Sequence, residues 1–483
     1  MHITVIGSGY VGLVTAVGLA EIGHQVIAVD ADRSKVDALA GGESPIYESL
    51  LPELLQRHCN RRLRFSAFAR AAVSASDVVF LAVGTPQGVD GAADLSQLEA
   101  AVREIAPVLH RSTLIVEKST VPVCTSERLR RLLLAAGARE RWFSVASNPE
   151  FLREGSAVTD FLYPDRIVIG ADDQFSEFLL REVYRPLTSG AYYRREDAVP
   201  CPSRRKGRTP LTVVSTRSAE LSKHASNAFL ATKISFINMV ARVAQETGAD
   251  IDEVSAVMGL DARIGADFLR AGIGYGGSCF SKDVAAFEAV ARGSGVDFPL
   301  LREVARVNHE QRQLFVQTVE RHMGTVAGKR IGVLGLAFKE GTDDVRESPA
   351  ISIVRELSEQ GARICAHDPA AISKAQEALQ MAAATFASDE YEAARDADAL
   401  LILTPWRRYR EMDRQRLHSM MKSPVVFDGR NMFAPEEMAA AGFVYHSVGR
   451  RPTPLPPERS KDDRERGKPF LVDVARATGL AAV

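Results

Sequence analysis

Apolar residues recur along this chain in two rhythms. Short apolar runs at 2–6, 25–29, 77–83, 113–117 and 143–146 alternate with stretches of helical periodicity at 13–22, 94–109 and 126–136. Such alternation predicts a parallel, doubly wound sheet with helices on both faces. From Ser218 to about Glu246 the pattern is helical without a break, with Gly248 as its stop, and further helices are predicted at 250–258 and 283–293. A second α/β unit begins at 329–339, continues in a helix at 348–360 ended by Gly361, and adds strands at 362–367, 399–403 and 425–428. The expected fold class is α/β, with two doubly wound parallel-sheet domains joined by a long central helix and a helical middle region. Its expected division is 1–212, 213–320, 321–450 and a flexible tail at 451–483, the last because 451–468 is rich in proline and charge.

The first apolar run leads into Gly7-Ser8-Gly9-Tyr10-Val11-Gly12, then a helix, then a second strand ending in Asp30. Glycines at this spacing, between a strand and a helix, allow a tight turn and close approach of a pyrophosphate to the helix N-terminus. A dinucleotide site on a Rossmann-like unit is expected here. Asp30 should accept from the adenosine ribose hydroxyls and repel a 2'-phosphate, which favours NAD over NADP, although Arg33 and Lys35 lie near. Two further strands end in Gly84-Thr85-Pro86 and Lys118-Ser119-Thr120-Val121-Pro122, either as plain turns or as cofactor contacts at the same sheet edge. The second unit repeats the plan without its third glycine and could hold another nucleotide. The charged cluster Asp343, Asp344, Arg346 and Glu347 before its helix reads equally as surface capping.

Chemistry concentrates elsewhere. Gly274-Tyr275-Gly276-Gly277-Ser278-Cys279-Phe280-Ser281-Lys282-Asp283 packs three glycines, a thiol and an acid between two helical patterns. Cys279 and Asp283 share a face if a helix begins there, and a thiolate at a helix start is expected to have a lowered pKa. The alternative is an ordinary buried cysteine. On the long helix Lys223 and Asn227 project together at i and i+4, while His224 points elsewhere. Glu150 and Glu154, four apart after Pro149, would face one way if helical, either as first-turn acids or as a general base with an orienting acid.

Composition narrows the classes. A chain of 483 residues with net charge -1 gives no general electrostatic case for nucleic acid or membrane surface, so the expected ligand is small. The N-terminus enters a strand directly and no run reaches about 18 apolar residues, so a cytoplasmic protein is expected. Five cysteines, widely spaced and without a C-x-x-C pair, predict free thiols and no metal site. The polar, proline-broken segment 194–210 reads as an exposed loop with a solvated basic run.

Taken together, Gly7 to Gly12, Glu117 to Pro122, Asn148 to Gly155, Pro164 to Gly170, Lys223 to Leu230, Gly276 to Asp283 and Gly335 to Pro349 resemble, in order, the motifs of the UDP-glucose/GDP-mannose dehydrogenase family over about residues 1–450. The resemblance implies four-electron oxidation of a nucleotide-sugar primary alcohol to a carboxylate with two NAD and one water, in a homodimer or higher homo-oligomer. It implies Cys279 as nucleophile, with Lys223, Asn227, Asp283 and Thr120 completing the catalytic cluster and Glu150 as acid/base. NAD contacts are implied for Gly7, Gly9, Tyr10, Val11, Gly12, Asp30, Lys35, Thr85, Pro86, Ser119, Thr120, Glu154, Lys282 and Arg346. Substrate contacts are implied for Glu150, Phe151, Leu152, Arg153, Glu154, Lys223, Asn227, Arg263 (reaching across a dimer), Phe268, Leu269, Gly272, Gly274, Phe338, Lys339 and Arg430. The segments 164–170 and 335–349 lean towards UDP-glucose, while GDP-mannose dehydrogenases share the cysteine stretch. A two-electron hydroxyacid dehydrogenase would need no thiol, and a silent NAD-binding regulator would need none of the cluster. Departures from the pattern are Cys124 where glycine is expected, Ser281 where proline or glutamine is usual, and a long 194–210 loop.

Overall fold

Two parallel sheets flank a helical middle, as the two rhythms require. The computed structural model describes residues 1–88, 91–200, 208–379 and 384–453. Cys201, most of the basic run and nearly all of the expected tail lie outside these. The first sheet holds β1 (His2–Ile6), β2 (Gln25–Val29), β3 (Leu63–Ser66), β4 (Val78–Leu81), β5 (Thr113–Glu117), β6 (Phe143–Ser147), β7 (Ile167–Gly170) and β8 (Leu211–Val214) in the order β3-β2-β1-β4-β5-β6-β7-β8. All neighbours are parallel except β6 and β7. The order steps outward from β1 in both directions, which places a ligand crevice at the carboxyl ends of β1 and β4.

The second sheet holds β9 (Arg330–Leu334), β10 (Arg363–His367), β11 (Thr385–Phe386), β12 (Ala399–Ile402), β13 (Val425–Asp428) and β14 (Val444–Ser447) in the order β11-β10-β9-β12-β13-β14, all parallel. Strands β4, β5 and β12 are buried along their whole length, the mark of a sheet covered on both faces.

Six helices matter for the site: α1 (Tyr10–Glu21), α2 (Thr125–Ala135), α3 (Thr216–Thr247), α4 (Phe280–Gly293), α5 (Pro299–Met323) and α6 (Pro349–Glu359). The central helix α3 is capped by the Ser215 side chain on the Ser218 amide and stops at Gly248, whose φ of +79° is the left-handed exit that glycine permits. Helices α4 and α5 pack against it, and α5 is a long element that the periodicity reading did not find.

Two expectations change. Residues 150–155 do not form a helix: the Glu150 carboxylate accepts from the Leu152 amide at 2.5 Å, and Gly155 turns at φ +82° before a short helix opens at Ala157. The 194–210 loop is not simply exposed, because Arg195 donates to the Glu21 carbonyl at 2.6 Å and Val199 is buried.

Cys124, the N-cap of α2, sits at φ +72°. A side chain there is strained by about 1 kcal/mol, while its amide donates to Glu220 at 2.6 Å regardless of side chain. Cys124→Gly is therefore expected to stabilise the fold by about 1 kcal/mol, read as a higher denaturant midpoint at unchanged slope. A lower midpoint would contradict this.

Candidate active site

Gly7 leaves β1 at φ +96°; a Cβ there would stand 2.6 Å from the Ala82 carbonyl oxygen, and one on Gly12 would stand 1.8 Å from that of Gly7. Only glycine lets the turn close this far. At Gly9, the N-cap of α1, the same construction meets nothing within 4 Å, so the turn opens outward, with Val11 in the first helical turn behind it. Asp30, just past β2, accepts from the Ser8 amide at 2.8 Å and from Lys35 Nζ at 2.9 Å. Burial works against its charge, but Lys35 and the backbone amides outweigh it and hold the carboxyl below its usual range. Along the same edge Thr85 donates to the Thr120 carbonyl at 2.8 Å, Ser119 donates to that of Val83 at 2.7 Å, and the Pro86 carbonyl accepts from Asp94. An outward-opening glycine turn and an ionised acid with part of its face free fit a dinucleotide.

The second sheet repeats the turn with a difference. Gly335 leaves β9 at φ +93°, but Asp368, in the place of Asp30, is sealed by the amides of Leu336 and Ala337 and by Trp406 Nε1 at 3.1 Å. A nucleotide on this sheet needs a different grip from a ribose on that acid.

Between the sheets, Cys279 caps α4, and the Asp283 amide donates to its carbonyl at 2.8 Å, so the two do share one helix start. The glycines before it are set by packing: Gly277 turns at φ +84° with the Phe338 ring where a Cβ would be, and Gly276 lies against the Glu347 carbonyl. Lys223 Nζ lies 2.9 Å from Glu150 Oε1, and Asn227 Nδ2 donates to Asp283 Oδ2 at 2.6 Å; all four are buried. Lys282 pairs with Asp283 at 3.0 Å. Burial disfavours the Lys223 charge, yet Glu150, Asp283 and Cys279 outweigh it and raise its pKa. The expected thiolate is overturned. Cys279 is exposed as a residue, but the protein around its sulfur, with Glu150, Asp283 and Glu154, pushes the thiol up to about 11 against the pull of Lys223. In the free protein it is a thiol at neutral pH.

Glu150 and Glu154, without a helix between them, part company. Glu154 receives Ser278 Oγ at 3.4 Å and stands 3.6 Å from Arg346, which grips Asp344. Burial and Asp344 push Glu154 up to about 7. The two carboxyls thus face different partners, Glu150 the Lys223 ammonium and Glu154 the Asp344–Arg346 pair.

The remaining residues spread over the cleft. Arg166 stacks 3.7 Å over the Phe151 ring, with Lys223 on the same ring at 5.5 Å. Leu152 packs on the first core, and Arg153 is engaged with Asp160 at 2.7 Å. Phe268 meets Phe280 edge to face, Leu269 is buried against α3, and the Gly272 amide donates to Asn238. Gly274 turns at φ +96° against Asn308. Lys339 lies over Phe338. Arg430 donates to the carbonyls of Leu403, Gly274 and Phe338, binding the cysteine loop to the second sheet. Arg263 stands apart, 89% exposed and paired with Asp261.

Periodicity and spacing gave no role to several buried groups. Lys118 donates to Asn148 at 3.0 Å and is pushed by burial down to about 7. Glu220 takes the Cys124 and Ser126 amides beside Glu117, whose pKa burial raises well above normal. Spacing likewise assigns no role to Glu48 or to the Arg166 side chain, although Arg166 lies within the 164–170 motif. The four described cysteines are free, and no described helix is long and apolar enough to cross a membrane.

Comparison with known proteins gives three domain matches to the UDP-glucose/GDP-mannose dehydrogenase family: the NAD binding domain at 1–188, the central domain at 217–310 and the UDP binding domain at 332–435. The chain is 44% identical over 452 residues to a UDP-glucose 6-dehydrogenase of Bacillus subtilis, covering 93% of this chain and 98% of that protein. It is 44% identical over 455 residues to one of Rhizobium meliloti, covering 93% and 100%. The structure of a UDP-glucose dehydrogenase from Pyrobaculum islandicum superposes with a TM-score of 0.82 at 41% identity, covering 93% of this chain and 97% of that one.

Proposed function

This chain belongs to the UDP-glucose/GDP-mannose dehydrogenase family, and on that premise we propose that it oxidises the C6 alcohol of UDP-glucose to the carboxylate of UDP-glucuronate through a covalent intermediate on Cys279. It is an NAD-dependent oxidoreductase. The observation that carries the mechanism is the convergence on one thiol of the buried Lys223–Glu150 and Asn227–Asp283 pairs from three separate segments.

NAD, when bound, accepts one hydride at each of the two oxidations. The protein does the rest. The first oxidation releases the hydroxyl proton through water to solvent and leaves an aldehyde, whose oxygen Lys223 and Asn227 would hold. Cys279 adds through sulfur while its proton passes to the aldehyde oxygen, forming a neutral thiohemiacetal; Lys223, kept charged by Glu150 and Asp283, stabilises the negative charge that develops on that oxygen. Loss of the second hydride, with the hydroxyl proton again passing to solvent, yields a thioester. Glu150 then takes a proton from water as it attacks, and the thiol is released with the acid. A thiol resting near 11 suits this sequence, because an idle thiolate would be open to oxidation between turnovers.

We assign 1–212 to NAD, 213–320 to dimerisation and 321–450 to the UDP-sugar. A homodimer is supported by Phe229, Phe236 and Val243, exposed seven residues apart on α3, and the exposed Arg263, paired within its own turn with Asp261, is the side chain assigned to a partner's site. A cytoplasmic enzyme fits the nucleotide substrate.

Purified protein assayed on a panel of UDP- and GDP-sugars, each with NAD and NADP, tests the substrate and cofactor together. UDP-glucose with NAD should give the highest kcat/KM. Activity confined to GDP-mannose, or equal use of NADP, would contradict the assignment.

A further inference from the structure

Glu48 is a buried carboxylate in the connection between β2 and β3, and no step above uses it. Its Oε2 accepts from the Gly155 amide at 2.7 Å and from the Tyr10 hydroxyl, and its Oε1 accepts from the Val158 amide at 3.4 Å. The Gly155 amide also reaches the Tyr10 hydroxyl, at 2.7 Å. One carboxylate therefore ties the first residue of α1, inside the glycine turn, to the end of the irregular loop that carries Glu150 and Glu154. The two sides of this tie differ in rigidity. Helix α1 is buried continuously from Gly12 to Glu21, whereas residues 148–156 have no regular structure and depend on such contacts for their place. Gly155 is held on its other side as well, since a Cβ there would lie 2.7 Å from the Gly341 carbonyl of the second sheet's domain.

We propose that Glu48, with Tyr10, is a positioning residue that sets the Glu150–Glu154 loop in register with the coenzyme turn and so governs the hydrolytic step. This rests on the role given to Glu150 above. Glu48→Gln keeps the size of the side chain but has one acceptor oxygen where the carboxylate has two, so it cannot accept from both the Gly155 and the Val158 N–H, and the tie is loosened while α1 stays packed.

The test compares wild type, Glu48→Gln, Tyr10→Phe and Glu150→Gln. In Glu48→Gln, kcat should fall roughly tenfold to a hundredfold while the NAD Kd by calorimetry shifts by less than about threefold, and a sugar adduct should build up on Cys279 as in Glu150→Gln. Tyr10→Phe removes only the hydroxyl shared with Glu48 and Gly155 and leaves the ring at the coenzyme turn, so it should show the same fall in kcat and the same adduct, more weakly, and decides the matter if Glu48→Gln does not fold. Unchanged kcat, a loss of kcat matched by an equal rise in NAD Kd, or a loss without adduct would each overturn the proposal. Adduct in Glu150→Gln but not in the other variants defeats only the positioning role; adduct in none defeats the Glu150 assignment as well.

Discussion

Cys279→Ser is expected to abolish efficient conversion of UDP-glucose to the acid, lowering the rate by on the order of 10³-fold or more, as removal of a covalent nucleophile does. The reason lies in what must be held between the two oxidations. The aldehyde has to stay in place while one NADH leaves and a second NAD arrives, and a carbonyl bound only by Lys223 and Asn227 is free to escape as its hydrate. Sulfur can add because a thiol is an intrinsically strong nucleophile and a buried cation lies near it to offset the raised pKa. A serine hydroxyl in the same place is far less acidic and a far weaker nucleophile. First-step chemistry should partly survive, so the variant should release some NADH without an equivalent amount of acid. Acid formation near the wild-type rate would remove Cys279 from the mechanism.

Glu150→Gln is expected to divide the reaction at its other joint. With its oxygen on the Leu152 amide the glutamine keeps the turn but loses the pairing with Lys223, and Asp283 remains to support the Lys223 charge. What disappears is the carboxylate proposed to take a proton from water. Loss of a general base costs roughly 10²–10⁴-fold in the step it serves. Thioester formation should proceed and its hydrolysis should become rate-limiting, so kcat falls while a covalent species fills the site. A variant slowed equally in both oxidations, with no accumulation, would place Glu150 elsewhere in the reaction.

The parts of this site that local pattern could reveal are those whose partners are close in sequence or whose backbone demands are strict. Gly7 and Gly12 were legible because nothing larger fits the turn they form. Lys223 and Asn227 were legible as one helical face, and Cys279 with Asp283 as a helix start. The same local reasoning failed for the thiol's acidity. A helix N-terminus favours the thiolate, but Glu150 and Glu154 arrive from a loop more than a hundred residues away in sequence, and burial outweighs the helix. It failed again for Glu150 and Glu154, where a side-chain cap on Leu152 and the left-handed Gly155 replace the helix their spacing suggested. Glu48 could not be found by spacing at all, since its partners lie 38 residues before it and 107 after it. Helix α5 escaped because its polar positions outnumber its buried ones, although Asn308 on it brackets Tyr275 with a bond to each side of that residue's backbone.

The covalent role of Cys279 is tested most directly by trapping. Glu150→Gln is mixed with UDP-glucose and excess NAD, quenched in acid, and examined by intact mass and then by peptide mapping, with NADH counted in the same sample. A burst of two NADH per site, with a UDP-glucuronyl mass increase confined to the peptide carrying Cys279, is the predicted result. NADH release with no adduct, or an adduct on any other residue, would contradict it.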